Sequence, residues 1–246
     1  MDPNSFCVEF SQVGKSYSGV EVLRNVSVGC PAGGTTAIVG ASGSGKTTML
    51  QLVNGVQRAD VGQVSVFGES VPLLEVEKFR RGIGYAVQGA GLFPHLTARQ
   101  NVTLVARLEG WDETRMEARF ITLLKEMDLP EDVAQRLPAE LSGGQQQRLG
   151  LCRALMLKPK LLLLDEPFSA VDPITRVEIY ERFTEVQSTE GVSSLLVTHD
   201  LREARRLADY LIILHRGEIQ QHGPCADVLD HPNNSYVRAL VESQLA

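Results

Sequence analysis

Gly40-Ala-Ser-Gly-Ser-Gly45-Lys46-Thr47 follows the apolar run Thr36-Ala-Ile-Val39 and opens a helical pattern that reads from Lys46 to Asn54. The stretch fits G-x-x-x-x-G-K-[ST], and its order of strand, glycine turn and helix is the setting this pattern needs to cradle phosphates. Glycines allow backbone N–H groups to turn inward, and the helix N-terminus adds its positive dipole end. Lys46 is placed to reach the outer phosphates and the Thr47 hydroxyl to ligate Mg²⁺. Composition alone would give such a pattern in roughly one chain of this length in a hundred. Gly40, Ser42, Gly43, Ser44, Gly45, Lys46, Thr47 and Thr48 are therefore the candidate phosphate-binding residues.

A second signal is Leu161-Leu-Leu-Leu-Asp165-Glu166, an apolar run ending in two carboxylates. Charge at the end of a buried strand is costly unless something there uses it. Asp165 suits a metal reached through water, and Glu166 suits polarising an attacking water. Leu141-Ser142-Gly143-Gly144-Gln145 opens a further helix, with Ser142 and Gln145 at capping-box spacing. Two adjacent glycines are more than a cap requires, since each costs about 1 kcal/mol against alanine inside a helix. Bare backbone at that end makes a second anion site.

Outward from these motifs, β-prone runs read at Phe6 to Phe10, Val20 to Val28, Gln63 to Phe67 and Ile83 to Val87, before a Gly/Pro loop at Gly89 to Pro94. From Ala98 to Leu157 the pattern turns helical, with Met116, Phe120, Leu123, Leu124 and Met127 at helical spacing. Leu161 to Leu164 and Leu195 to Val197 read as strands of a parallel sheet, and Ile174 to Val186 as the helix between them. The fold class is α/β. Met1 to Ser5 carry no argument.

The bulk properties narrow the function. The 246 residues are 43% hydrophobic and 22% charged, with a formal charge of -6, which argues against a nucleic-acid partner because that affinity comes from clustered Lys and Arg. Cys7, Cys30, Cys152 and Cys225 are scattered, suggesting neither a zinc site nor a disulfide framework. No signal peptide is read at the start. The longest apolar stretches, Leu161 to Leu164 and Tyr210 to Leu214, are too short to cross a bilayer.

Taken together, the P-loop, Gln88 after a strand, Leu141 to Gln145, Asp165-Glu166-Pro167, Ser169-Ala-Val-Asp172 and His199 resemble the ABC ATPases in order and spacing along essentially the whole chain. The resemblance implies a P-loop NTPase core with a mainly parallel sheet, an N-terminal antiparallel β subdomain and an inserted helical subdomain. It implies one domain over residues 1–246, the core and β subdomain in 1–90 and 159–246 and the helical insertion in 91–158. It further implies that Gln88 joins the metal site to a transmembrane partner. Ser142, Gly143, Gly144 and Gln145 would bind the γ-phosphate of ATP held by an opposite subunit. Asp172 would connect two such sites, His199 would contact the γ-phosphate, and Tyr17 would stack on adenine. The usual leucine before that aspartate is Val171 here.

The resemblance also implies partners: a second ATPase subunit in a homodimer or heterodimer, transmembrane permease subunits, and an extracytoplasmic solute-binding protein, with the chain on the cytoplasmic face of the membrane. It implies ATP and Mg²⁺ as cofactors. Lys46 to Asn54, Ile83 to Gln88 with Gly91 to His95, and Ser169 to Arg176 look like importers of glycine betaine, choline or carnitine. Many of those ATPases carry a further C-terminal regulatory domain not read here. The alternatives are import of polar amino acids or another small solute, or an ABC ATPase that does not transport. Glu166 argues against a regulator that binds nucleotide without hydrolysing it.

Overall fold

The computed structural model describes residues 6–169 and 171–245; Met1 to Ser5, noted above as carrying no argument, lie outside them, as does Ala170 of the Ser169 to Asp172 motif. In chain order the elements are β1 (Phe6–Tyr17), β2 (Val20–Pro31), β3 (Thr35–Val39), α1 (Lys46–Val53), β4 (Val61–Val66), β5 (Glu69–Ser70), α2 (Val76–Arg81) and β6 (Ile83–Ala86). There follow α3 (Ala98–Leu108), α4 (Glu113–Glu126), two short 3-10 turns, α5 (Gly143–Leu155), β7 (Leu161–Asp165) and α6 (Pro173–Glu190). The chain closes with β8 (Ser193–Thr198), α7 (Leu201–Leu207), β9 (Tyr210–His215), β10 (Glu218–Pro224), α8 (Cys225–Asp230) and α9 (Ser235–Leu245).

Two compact units emerge: the chain up to Arg80 together with Ser193 onward, and Arg81–Val192. The second is wider than the helical insertion expected at 91–158, because β6, β7 and α6 belong with the helices.

In the first unit, β1 pairs antiparallel with β2 and β4, and β4 with β5. β1 runs well past the expected Phe10, since a register shift between Phe10 and Val13 absorbs Gln12 at φ 52°. That bulge carries the strand through polar residues with no apolar alternation, as far as Tyr17. The same unit holds β3, every residue buried, parallel to β8 on one side and β9 on the other, with β10 antiparallel on β9. Burial on both faces explains why these strands read as continuous apolar runs.

In the second unit β6 and β7 pair in parallel from Ile83↔Leu161 to Ala86↔Leu164. α6 outruns its last apolar residue by four and stops at Gly191, φ 65°, the left-handed C-cap that glycine adopts at little cost. Asn101, fully buried on α3, accepts from Phe93 N–H at 2.7 Å and donates to the Phe93, Leu96 and Thr97 carbonyls at 2.9–3.1 Å. One side chain thus satisfies the backbone of a loop that lacks regular structure.

Candidate functional site

In the first unit the phosphate-loop candidates sit between β3 and α1. The N-cap of α1 is Gly45 at φ 105°, with no side-chain cap. A Cβ there would lie 2.7 Å from Leu23 Cδ2 and 3.0 Å from Val22 O, so only glycine holds both the turn and the close approach to β2. The result is a helix N-terminus whose end is left to backbone amides. Lys46 is 6% exposed, and its Nζ donates to the Gly40 and Ala41 carbonyls at 2.8 and 3.0 Å. An ammonium buried within its own loop is the charge a phosphate would take over. The Ser44 hydroxyl is buried and has no hydrogen-bond partner, while Ser42, Gly43 and Thr47 are exposed and Thr48 is buried. A buried orphan hydroxyl beside a helix N-terminus that no side chain caps fits a ligand with several acceptor oxygens.

Tyr17 ends β1, half-buried, with Lys15 Nζ 5.3 Å from its ring centroid. Asp60 fixes this corner by accepting from Lys15 Nζ at 2.8 Å and Ser16 N–H at 2.7 Å. Those bonds hold the exposed Asp60 carboxyl below the usual carboxylate range, the Lys15 hydrogen bond first. His199 follows β8 in an exposed position before α7.

In the second unit β7 delivers Asp165 and Glu166 half-buried at its end. Glu166 adopts φ 47°, and its carbonyl accepts from Ser169 N–H at 3.3 Å and Ser169 Oγ at 3.0 Å. A left-handed glutamate costs roughly 1–3 kcal/mol, a strain that tends to persist where side-chain aim matters. Gln88, exposed just beyond β6, donates from Nε2 to Glu166 Oε2 at 3.4 Å. Sequence reasoning missed Tyr85. It pairs with Leu163 across β6 and β7, and its hydroxyl bonds Asp165 two residues on; burial, then the Asp165 charge, pushes its pKa up to about 12. Tyr85 therefore stays a donor that orients Asp165. The register of two strands carries this signal, and no spacing along the chain does.

The capping box at α5 is formed: Gln145 N–H donates to Ser142 Oγ at 3.2 Å and Ser142 N–H to Gln145 Oε1 at 3.0 Å. Gly143 is exposed. Gly144 is buried against α6, where a Cβ would meet Thr175 Cγ2 at 2.7 Å. Asp172 caps α6, accepting from Ile174 and Thr175 N–H at 3.2 and 3.0 Å, and the Thr175 hydrogen bonds hold its carboxyl below the ordinary range. A further residue not read from the sequence is Arg153 on α5. Its guanidinium donates to the carbonyls of Gly91 and Ala90 at 2.8 and 3.0 Å.

A lysine-bearing glycine loop between strand and helix, and an apolar strand ending in two carboxylates, define a P-loop ATPase. Its α5, opened by Leu141 to Gln145, narrows the class further. The chain belongs to the ABC transporter family, whose family model matches residues 23–169, and it is an ATP-binding ATPase of that family.

It is 38% identical over 231 residues to the glycine betaine uptake system ATP-binding protein YehX of Escherichia coli K12, covering 94% of this chain and 75% of YehX. It is 41% identical over 230 residues to the choline transport ATP-binding protein OpuBA of Bacillus subtilis 168, covering 93% of this chain. The chain spans 60% of OpuBA's length. Among solved structures it resembles a dimeric ATP-binding cassette in a post-hydrolysis state bound to ADP and Pi, with TM-score 0.81 and 31% identity over 89% of this chain and 98% of that one. Among the described residues, no helix is long and apolar enough to cross a membrane.

Proposed function

We propose that the chain hydrolyses Mg²⁺-bound ATP as a dimer and drives import of a quaternary-ammonium osmoprotectant such as glycine betaine, choline or carnitine. Its partners are permease subunits, which hold it at the cytoplasmic face of the membrane, and an extracytoplasmic solute-binding protein. The observation that carries hydrolysis is the strained Glu166, within 3.4 Å of the Gln88 amide. A carboxylate set at that aim takes a proton from water or orients it. Lys46 and the loop amides hold the outer phosphates, Tyr17 offers its ring face to adenine, and His199 contacts the γ-phosphate.

Thr47, Gln88 and Asp165 contribute hard oxygen donors of the kind Mg²⁺ takes. When bound, Mg²⁺ neutralises charge building on the transferred phosphoryl group. Ser142 to Gln145, on the helical segment 91–158 of the single ATPase domain, address the nucleotide held by the second subunit, and Asp172 links the two nucleotides. The dimeric state of the solved cassette bound to ADP and Pi supports a dimer here.

Because the Tyr85 hydroxyl orients Asp165, Tyr85→Phe is expected to raise the Mg²⁺ concentration for half-maximal hydrolysis about tenfold, as loss of an outer-shell partner does at other metal sites. Titrating activity with Mg²⁺ at saturating ATP checks this. An unchanged midpoint would remove Asp165 from the metal's surroundings. For cargo, the support is the likeness to YehX and OpuBA. Reconstituted with its cognate permease, the chain should power betaine or choline uptake. Stimulation by an unrelated solute alone would reject that cargo.

A further inference from the structure

We propose that Gln244, on the C-terminal helix, is a positioning residue that sets the aim of His199. The proposal rests on the reading of His199 as a γ-phosphate contact.

β8 ends at Thr198 and α7 begins at Leu201, so the histidine rides on a two-residue connection. Local bonds brace its flanks. Thr198 Oγ1 donates to Glu203 Oε2 at 2.6 Å and accepts from Asp200 N–H at 3.1 Å, and Asp200 caps Arg202 N–H at 2.8 Å. The His199 carbonyl and the Leu201 N–H are instead met by one side chain from 43 to 45 residues further along the chain. Gln244 Oε1 accepts from Leu201 N–H at 2.7 Å, and its Nε2 donates to the His199 carbonyl at 3.1 Å.

Only a side chain with a donor and an acceptor at one tip can do both, and glutamate lacks the donor. Arg202 Nε completes the tie by donating to the Gln244 carbonyl at 2.9 Å. The tie has a firm base. α9 sets Val237, fully buried, with Tyr236, Leu240, Val241 and Leu245 against a core of Ala37, Val39, Leu201, Ala204, Leu211 and Ile213. The amide therefore fixes the backbone on both sides of Asp200 from a packed helix, and an exposed imidazole is aimed by the backbone that carries it.

The test uses the full chain and steady-state ATP hydrolysis. Gln244→Ala should lower kcat about tenfold with the KM for ATP changed less than about twofold, because misplacing a group that acts on the γ-phosphate costs the transition state more than ground-state binding. Gln244→Glu, which keeps the acceptor but sets a carboxylate oxygen against the His199 carbonyl in place of the donor, should lose at least as much kcat as Gln244→Ala. Val241→Ala thins the packing of the same helix without touching either bond and should leave kcat within about twofold. In a His199→Ala background, Gln244→Ala should cost nothing more, as expected of residues acting as one unit.

The proposal is overturned if Gln244→Ala keeps the native kcat, if Val241→Ala lowers it equally, or if the Gln244 loss persists undiminished without the imidazole. The underlying reading fails separately: a His199→Ala chain that hydrolyses ATP normally removes the histidine from the site and the proposal with it.

Discussion

Glu166→Gln is expected to slow ATP hydrolysis by roughly 10²-fold or more while leaving ATP binding intact. The substitution keeps size and a hydrogen-bond acceptor and removes only the capacity to take a proton. Glu166 stands at the end of a strand whose four leucines are at most 1% exposed, in a left-handed turn, with the Gln88 amide 3.4 Å from its carboxylate. The backbone and the neighbour that hold the side chain are unchanged by the substitution, so the loss falls on the chemical step.

In the proposed arrangement, where intact ATP bridges the two subunits, the variant should run as a stable dimer on size exclusion in ATP and as a monomer in ADP. Asp165→Asn should act differently and weaken Mg²⁺ binding, raising the Mg²⁺ concentration needed for hydrolysis, since it would remove charge beside the proposed metal site. Hydrolysis by Glu166→Gln at the native rate would mean that another group positions the water.

Lys46→Ala should reduce hydrolysis by roughly 10²- to 10³-fold, the scale seen when one preorganised stabiliser of transition-state charge is removed. Unlike Glu166→Gln, it should also weaken ATP binding. The ammonium is buried within the loop and bonded to the Gly40 and Ala41 carbonyls. In the proposed site its removal would take away the positive charge bonded to those carbonyls, so the ground state should suffer along with the transition state. Fluorescence titration with a nucleotide analogue, beside steady-state kinetics, separates the two effects. Native turnover in this variant would overturn the phosphate-loop assignment.

The chemistry most legible in the sequence is written in consecutive residues. Gly40 to Thr47, Leu161 to Glu166 and Leu141 to Gln145 each carry their strand or helix context with them, and each stands where that context puts it. Apolar periodicity locates the buried strands, yet it ends elements at their last apolar side chain. That is why α6 reaches Glu190 and β1 reaches Tyr17 beyond the expected bounds. α7, with Arg202, Arg205 and Arg206, and β10, mostly polar at the sheet edge, offer little periodicity to read. Tyr85, Arg153 and Gln244 act through strand register or through partners 43 to 63 residues away. Such contacts exist only once the chain has folded.

Arg153 joins the segment after Gln88 to the helix that Ser142 caps, and Asn101 stiffens the remainder of that segment through Leu96 and Thr97. From Ser142 to Arg153 is about 16 Å of helix at 1.5 Å per residue. α5 is thus a strut, with the segment after Gln88 tied by hydrogen bonds near one end and the glycine pair at the other.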